Sequence, residues 1–290
     1  MFFPCDPYQV DLLSQLEAVV AGVSMGASGV RLYALVDGAS NPNWGAQMLA
    51  AAQRDPQRTQ SLYQQTSLQD AHEYSPFLCA IEPQDMGAFL TRASGMPMLS
   101  FLQSDMNIDA LRENFAPFLL VGTGDAQRFP IRWAYPLAVP LLMEVLGTIT
   151  SQQLCSGFRA WHLITREGGL HTVAGSAATR GGVVKAPVDQ RRIDISQSDF
   201  ARLVDAAEAD ALLISLLENF PALMHGRLPS ALYQLTVEAL QAMTRRGIEA
   251  QSERRSLLIT LLNAQESVDV TDFLDAYVIR RQTTLVPSHG

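Results

Sequence analysis

Residues 30–39 read VRLYALVDGA. Val30 to Val36 are β-branched, aromatic or aliphatic with one arginine, a run that predicts a buried strand, and Asp37-Gly38 predicts the turn that ends it. Upstream, Val10, Leu13, Leu16 and Val20 recur at helical spacing, with Asp6 as the expected N-cap, Pro7 at the first helical position and Gly22 as the stop. Downstream, WGAQMLAAAQ predicts a second helix. The alternation then repeats. PFLCAI (76–81) and MPMLSFL (96–102) read as strands separated by a helix through Met86, Phe89 and Leu90. A helix through Ile108, Leu111 and Phe115 follows. APFLLVG, FPIRWA and FRAWHLIT supply three more apolar strand candidates, with a proline-led helix between the last two. Short apolar strands alternating with helices imply an α/β layer structure, so residues 1–171 are assigned to an α/β domain with a mixed sheet.

The texture changes near residue 172. TVAGSAATRGGVVKAPVDQRR is rich in Gly and small residues, and carries Arg180, Lys185, Arg191 and Arg192 without a clear period. Residues 172–194 therefore read as a linker or long loop. Beyond it every signal is helical. Ser196 and Asp199 form an S-x-x-D cap, and Phe200, Leu203, Val204, Ala207 and LLISLL carry a helix. Leu232, Leu235, Ala239, Leu240 and Met243 mark another, with Gly247 as its C-cap, and Ser252 and Thr271 open two more. Residues 195–290 are assigned to an α-helical bundle.

Composition sets bounds on function. The 290 residues are 48% hydrophobic and 17% charged, the balance of a folded globular chain. A net charge of −8 argues against general nucleic-acid binding, which needs a basic face. Lys185 is the only lysine, and the remaining basic residues are arginines suited to planar, bidentate contacts. Cys5, Cys79 and Cys155 are odd in number and scattered, which fits a reducing compartment better than a disulfide framework or a zinc site. MFFPCDPYQV has no basic and apolar leader pattern, and YPLAVPLLMEVLGTI is interrupted by Pro136, Pro140 and Glu144, so no membrane association is expected.

Several residues invite a chemical reading. Gly22, Ser24 and Gly26 fit the G-x-S-x-G of a nucleophile elbow, but the predicted order is helix, Ser24, strand, the reverse of what an elbow requires. Asp37 ends a buried strand, where α/β proteins place ligands, and could bind a metal or act as a base. Its other reading is structural: a turn cap or a partner for an arginine. Arg132, placed within the apolar strand FPIRWA, needs a counter-ion if buried, and Asp37 is the partner expected; the alternative is an anion clamp. His162 and His171, nine apart across a Gly-Gly turn, match no common metal spacing, and GTGD (122–125) lacks the spacing of a phosphate loop. An enzyme using Ser24, or a small-ligand binder using Asp37 and Arg132, stays open as the alternative to an interaction protein.

The motifs taken together resemble a family. LYALVDGA (32–39), SPFL (75–78), MLSFLQSDMNIDALRENFAPFLLV and PIRWAYP (130–136) fall in the order seen in the effector chaperone, or adaptor, domain of type VI secretion, encoded beside the VgrG spike protein and a toxic effector. FRAWHLI extends the resemblance to about residue 165, and DISQSDFARLVDAAEADALL and RRGIEAQSERRSLLITLL resemble the helical tail that follows. By position, the family motif falls on Tyr33, Asp37, Gly38, Pro76, Arg132, Trp133 and Pro136 as structural residues. Tyr135 and Leu137 stand where the family usually has Asp and Arg. The resemblance implies a non-enzymatic cytoplasmic adaptor without catalytic, metal or cofactor-binding residues. Its partners would be an effector toxin and VgrG, not nucleic acid or membrane. The apolar surplus of LLISLLENF and LLITLL suggests a surface that grips them.

Overall fold

The computed structural model describes residues 5–24, 29–64, 66–124, 127–175, 193–224, 226–264 and 269–284. The chain divides into two compact units, one spanning Cys5–Leu203 and the other built on Val204–Gly290.

In the first unit, β1 (Arg31–Asp37) is the expected strand, and every residue from Leu32 to Asp37 is buried. It lies inside a six-stranded sheet with β2 (Thr59–Ser61), β3 (Pro76–Ile81), β4 (Leu99–Ser104), β7 (Ala160–Ile164) and β8 (Leu170–Ala174), in the order β2-β3-β1-β4-β7-β8. Each pair in this sheet is antiparallel. A second, small sheet is the mixed one: β5 (Leu120–Gly122) runs antiparallel to β6 (Arg128–Pro130) and parallel to β9 (Ile193–Asp194).

Helices cover both faces of the large sheet, which is why β1 reads as a continuous apolar run rather than an alternation. Leu32, Ala34 and Val36 pack with α1 (Leu12–Ser24), α2 (Pro42–Arg54) and α3 (Met86–Ala93) through Leu16, Val20, Trp44, Met86 and Leu90. Tyr33 and Leu35 point to the other face, against α4 (Ile108–Phe115) and α5 (Val139–Cys155, interrupted at Gly147). There Trp161 meets Phe115 edge-on at 5.9 Å and Trp133 at 6.0 Å. Burying both faces of a central strand removes well over half of its side chains' apolar surface from water, the dominant favourable contribution to folding.

Several local expectations are corrected. Asp6-Pro7 does not start α1: Asp6 donates its backbone N–H to Arg166 O at 2.9 Å, and the helix begins at Leu12 beyond Asp11. A long-range backbone bond outcompetes the local capping signature. APFLLVG contributes only Leu120–Gly122 as strand, because Ala116–Phe118 form a 3-10 turn. FPIRWA ends its strand at Pro130, so Arg132 stands in the turn that follows. The expected linker starts and ends in strands: 172–174 belong to β8 and 193–194 are β9. Its central residues, with Arg180, Lys185, Arg191 and Arg192, lie outside the described residues.

The helical C-terminal region is as expected. It comprises α6 (Gln197–Asn219), α7 (Pro229–Arg245), α8 (Gln251–Asn263) and α9 (Val270–Thr284), and the boundary between the units falls within α6. Ser196 Oγ accepts the Asp199 N–H at 3.0 Å, the predicted cap. Gly247 adopts φ +68°, and Ile248 N–H reaches back to Met243 O at 3.0 Å, closing α7 as a C-cap glycine should. Leu213, Leu216, Leu217, Leu257, Leu258, Leu261 and Leu262 are buried in the core of this unit, so most of the apolar surplus of LLISLLENF and LLITLL goes into the bundle, whereas Phe220 is exposed.

At the start of α2, Asn41 Oδ1 accepts the Trp44 N–H at 3.1 Å. Replacing Asn41 with Ala leaves that donor uncapped and should lower stability by about 1 kcal/mol in urea denaturation.

Candidate functional site

The turn at the end of β1 collects the residues singled out from the sequence. Pairing of Asp37 with Pro76 across β1 and β3, and the Asp37 N–H bond to Met98 O at 2.8 Å, fix the end of the strand. The Asp37 carboxylate, 1% exposed, then folds back over its own turn. Its Oδ1 accepts the Ala39 N–H at 3.1 Å, and its Oδ2 accepts the Ser40 hydroxyl at 2.8 Å. The Arg132 guanidinium donates to the same Oδ2, forming the ion pair expected from the sequence, and also to Ser40 Oγ at 3.1 Å.

The setting of that pair differs from the expectation. Arg132 is not a charge buried in a sheet: its side chain is 45% exposed, on a turn, with its guanidinium carbon 5.1 Å from the Tyr135 ring centroid. The buried member is Asp37. Tyr63 lies in the same neighbourhood, and its phenol is pushed up to about 12, chiefly by burial and then by the Asp37 charge, with Arg132 opposing.

Glycines make the turn possible by letting backbones touch. A Cβ on Gly38 would lie 2.8 Å from both Glu73 O and Ser75 O, and one on Gly45 would lie 2.5 Å from Glu73 O. The Gly38 N–H uses this approach to donate to Ser75 O at 3.0 Å. Tyr33 points away from this turn and donates its hydroxyl to Met106 O at 2.7 Å. Trp133 is fully buried, with its indole N–H on Phe118 O at 2.7 Å, and Pro136 is buried beside it in sequence. Thus Asp37, Gly38, Pro76 and Arg132 share one corner, whereas Tyr33 and Trp133 serve the core.

Chemically, Asp37 is engaged. Three donors converge on its two oxygens, which leaves it placed as a strut rather than as an open base. Ser24 ends α1, and the next element is β1, not the strand-turn-helix order of an elbow; Gly26 lies outside the described residues. GTGD joins β5 to β6, with Asp125 outside the described residues. Among the described residues, no group of three or more His, Cys, Asp or Glu side chains could hold a metal ion, and no helix is long and apolar enough to cross a membrane.

Two polar networks were not legible in the sequence. In the first, the Ser61 hydroxyl donates to Ser75 Oγ at 2.7 Å, Ser75 donates to Pro76 O at 2.8 Å, and His72 Nδ1 lies 3.4 Å from Ser61 Oγ. Since the Ser61 proton goes to Ser75, His72 is not acting as its base. In the second, His162 is wholly buried beneath α1. Its Nε2 donates to Gln103 Oε1 at 2.8 Å, its Nδ1 accepts from Thr172 Oγ1 at 3.0 Å, and Gln103 Nε2 donates to Val20 O at 3.0 Å. The acceptor-only Gln103 oxygen fixes this tautomer. His171 stands exposed on the neighbouring strand. No sequence spacing signals either network, because the partners meet through strand pairing.

With the geometry in place, the class is a helix-covered antiparallel sheet joined to a helical bundle, with a buried aspartate pinned at the sheet's corner. Residues 32–155, less than half of the chain, match the family model described as a domain of unknown function (DUF4123). That span runs from β1 to the end of α5 and contains the whole Asp37–Arg132 corner. Comparison with curated proteins and with solved structures returned no match.

Two outcomes follow from these contacts. Arg132→Met strips a buried carboxylate of its charge partner and should cost about 2 kcal/mol, below the range for a fully buried pair because Arg132 half faces water. Adding Asp37→Asn should recover part of that loss in urea denaturation; no recovery would mean that the buried charge is not the cause. Burial also lowers the His162 imidazole to about 4 from its ordinary 6.5. Between those values the unfolded chain binds the proton more readily, so the stabilisation is complete above pH 6.5 and is lost as pH falls towards 4, by up to about 3 kcal/mol. Urea midpoints at intervals from pH 7 to 4.5 should show this slope, and His162→Gln should flatten it.

Proposed function

We propose that the protein is a non-enzymatic cytoplasmic adaptor that binds a type VI secretion effector and brings it to the VgrG spike protein. The observation that carries this reading is the match of residues 32–155 to DUF4123, over the same stretch whose motif order resembles the effector chaperone domain. The Asp37–Arg132 corner is consistent with it. A carboxylate already satisfied by Ala39, Ser40 and Arg132 holds a fold together better than it attacks a substrate. A net charge of −8 with a basic complement almost wholly of arginine suits protein surfaces more than nucleic acid.

In this reading the work is done by affinity alone. The adaptor recognises a segment of its client, keeps it soluble, and hands it on by also contacting the spike. Tagged full-length protein, co-expressed with the VgrG protein and the effector encoded beside its gene, should retain both on an affinity column and raise the soluble yield of the effector. Recovery of neither, with the adaptor itself folded, sinks the proposal. Asp37→Asn and Arg132→Met should change that recovery only as far as they change folding.

A further inference from the structure

The six-stranded sheet has two unlike edges. At one end β2 is three residues long, and Thr59, Gln60 and Ser61 are all buried. At the other end β8 is five residues long, with His171, Thr172 and Ala174 exposed. The bonds that close the β7–β8 hairpin define which backbone groups remain outward. Gly175 N–H donates to Arg159 O at 2.8 Å and Thr165 N–H to Gly169 O at 2.9 Å. Antiparallel pairing alternates, so His171 and Val173, like Gly175, direct their backbone groups towards β7. Leu170, Thr172 and Ala174 direct theirs away from the sheet, and these meet no partner among the described residues.

Edges of this kind are ordinarily blunted by lysine, proline, a bulge or a covering element. β8 has the sequence LHTVA, with no proline and no formally charged residue, and its five residues pair with β7 in unbroken register. A regular row of alternating donors and acceptors recognises one chemistry, an extended polypeptide backbone. We propose that the outer edge of β8 is a docking site for an extended, uncharged segment of another protein, which adds to the sheet as a seventh strand through the backbone groups of Leu170, Thr172 and Ala174.

A second copy of this chain is a poorer occupant. Two β8 edges meeting about a two-fold axis bring five residues a side, against the roughly 20–30 a side of a stable interface. A client segment needs less, because it can be held at β8 and elsewhere at once. Side-chain selection would come from the two faces beside the edge. Val173 packs on the core containing Trp161, and Leu170, on the opposite face, on the core containing Ile164, so β-branched residues on both faces of the segment would continue both. The inference stands on the sheet alone and does not require the adaptor reading.

The probe is a short peptide of alternating Thr and Val closed by Lys at each end, added at millimolar concentration to the full-length protein. Amide exchange is read residue by residue. The expected result is slowing by about tenfold or more at Leu170, Thr172 and Ala174, with His171 and Val173 unchanged because β7 already protects them. Ala174→Pro, which removes an outward N–H, and Ala174→Lys, which adds an edge charge while keeping the backbone, should each abolish the slowing. The same peptide N-methylated at alternate residues should be inert. No slowing at the three outward amides overturns the proposal, as does slowing caused equally by the N-methylated peptide. Protection present without peptide also overturns it: if independent of protein concentration, the chain covers its own edge, and if concentration-dependent, the occupant is a second copy.

Discussion

The fold depends on burying one strand on both sides. β1 can be sealed between two helical layers only if its last residue, the carboxylate of Asp37, is sealed with it. A buried carboxylate without partners would cost several kcal/mol, enough to cancel much of what the strand contributes. The corner is arranged around that constraint. Ser40 and the Ala39 N–H come from the turn itself, Arg132 comes from a distant turn after β6, and Gly38 and Gly45 bring the Glu73–Ser75 backbone close enough to close the ring. The pair therefore ties the first half of the α/β unit to its second half through one side chain.

Energetics and function then pull in compatible directions. A catalytic carboxylate needs an oxygen left open towards substrate and a surrounding that shifts its proton affinity for the task. Asp37 has neither oxygen open. What faces water is the outer side of Arg132, stacked near Tyr135, a pairing of residue types common at protein surfaces that meet other proteins. The hypothesis of an adaptor thus asks nothing of the corner beyond rigidity, whereas an enzymatic reading would require it to open.

The sequence disclosed elements wherever a decision was local. PFLCAI is β3 residue for residue, and Met86, Phe89 and Leu90, like Ile108, Leu111 and Phe115, carry the helices their spacing predicts. Ser196 and Gly247 cap as their chemistry demands. Failures came where distant groups decide. Asp6-Pro7 has the form of a helix start, yet Arg166 O captures the Asp6 N–H from the turn between β7 and β8. FPIRWA is apolar because Ile131 and Trp133 fill the core from beyond the end of β6, so its hydrophobicity marks burial rather than strand. Strand direction was also invisible, since β–α alternation usually signals parallel pairing, and here strands that neighbour one another in the large sheet run antiparallel. The Asp37–Arg132 partnership was legible because a buried acid and a strand-flanking arginine have few other ways to be neutral. The His162–Gln103–Thr172 relay was not, since register alone brings it together.

The three cysteines have a practical consequence. Cys5, Cys79 and Cys155 are all buried, and burial raises the Cys79 thiol to about 12 and the Cys155 thiol to about 11, so little thiolate is present in the closed state. They sit at different depths of one unit: the stretch before α1, the interior of the sheet, and the end of α5. The remaining unit, from Val204 onward, has none. The chain is thereby fitted with intrinsic clocks. A thiol reagent becomes a reporter of breathing motions, its three labelling rates ranking how often the N-terminal segment, the β-core and the helix terminus expose themselves, without any label being engineered in.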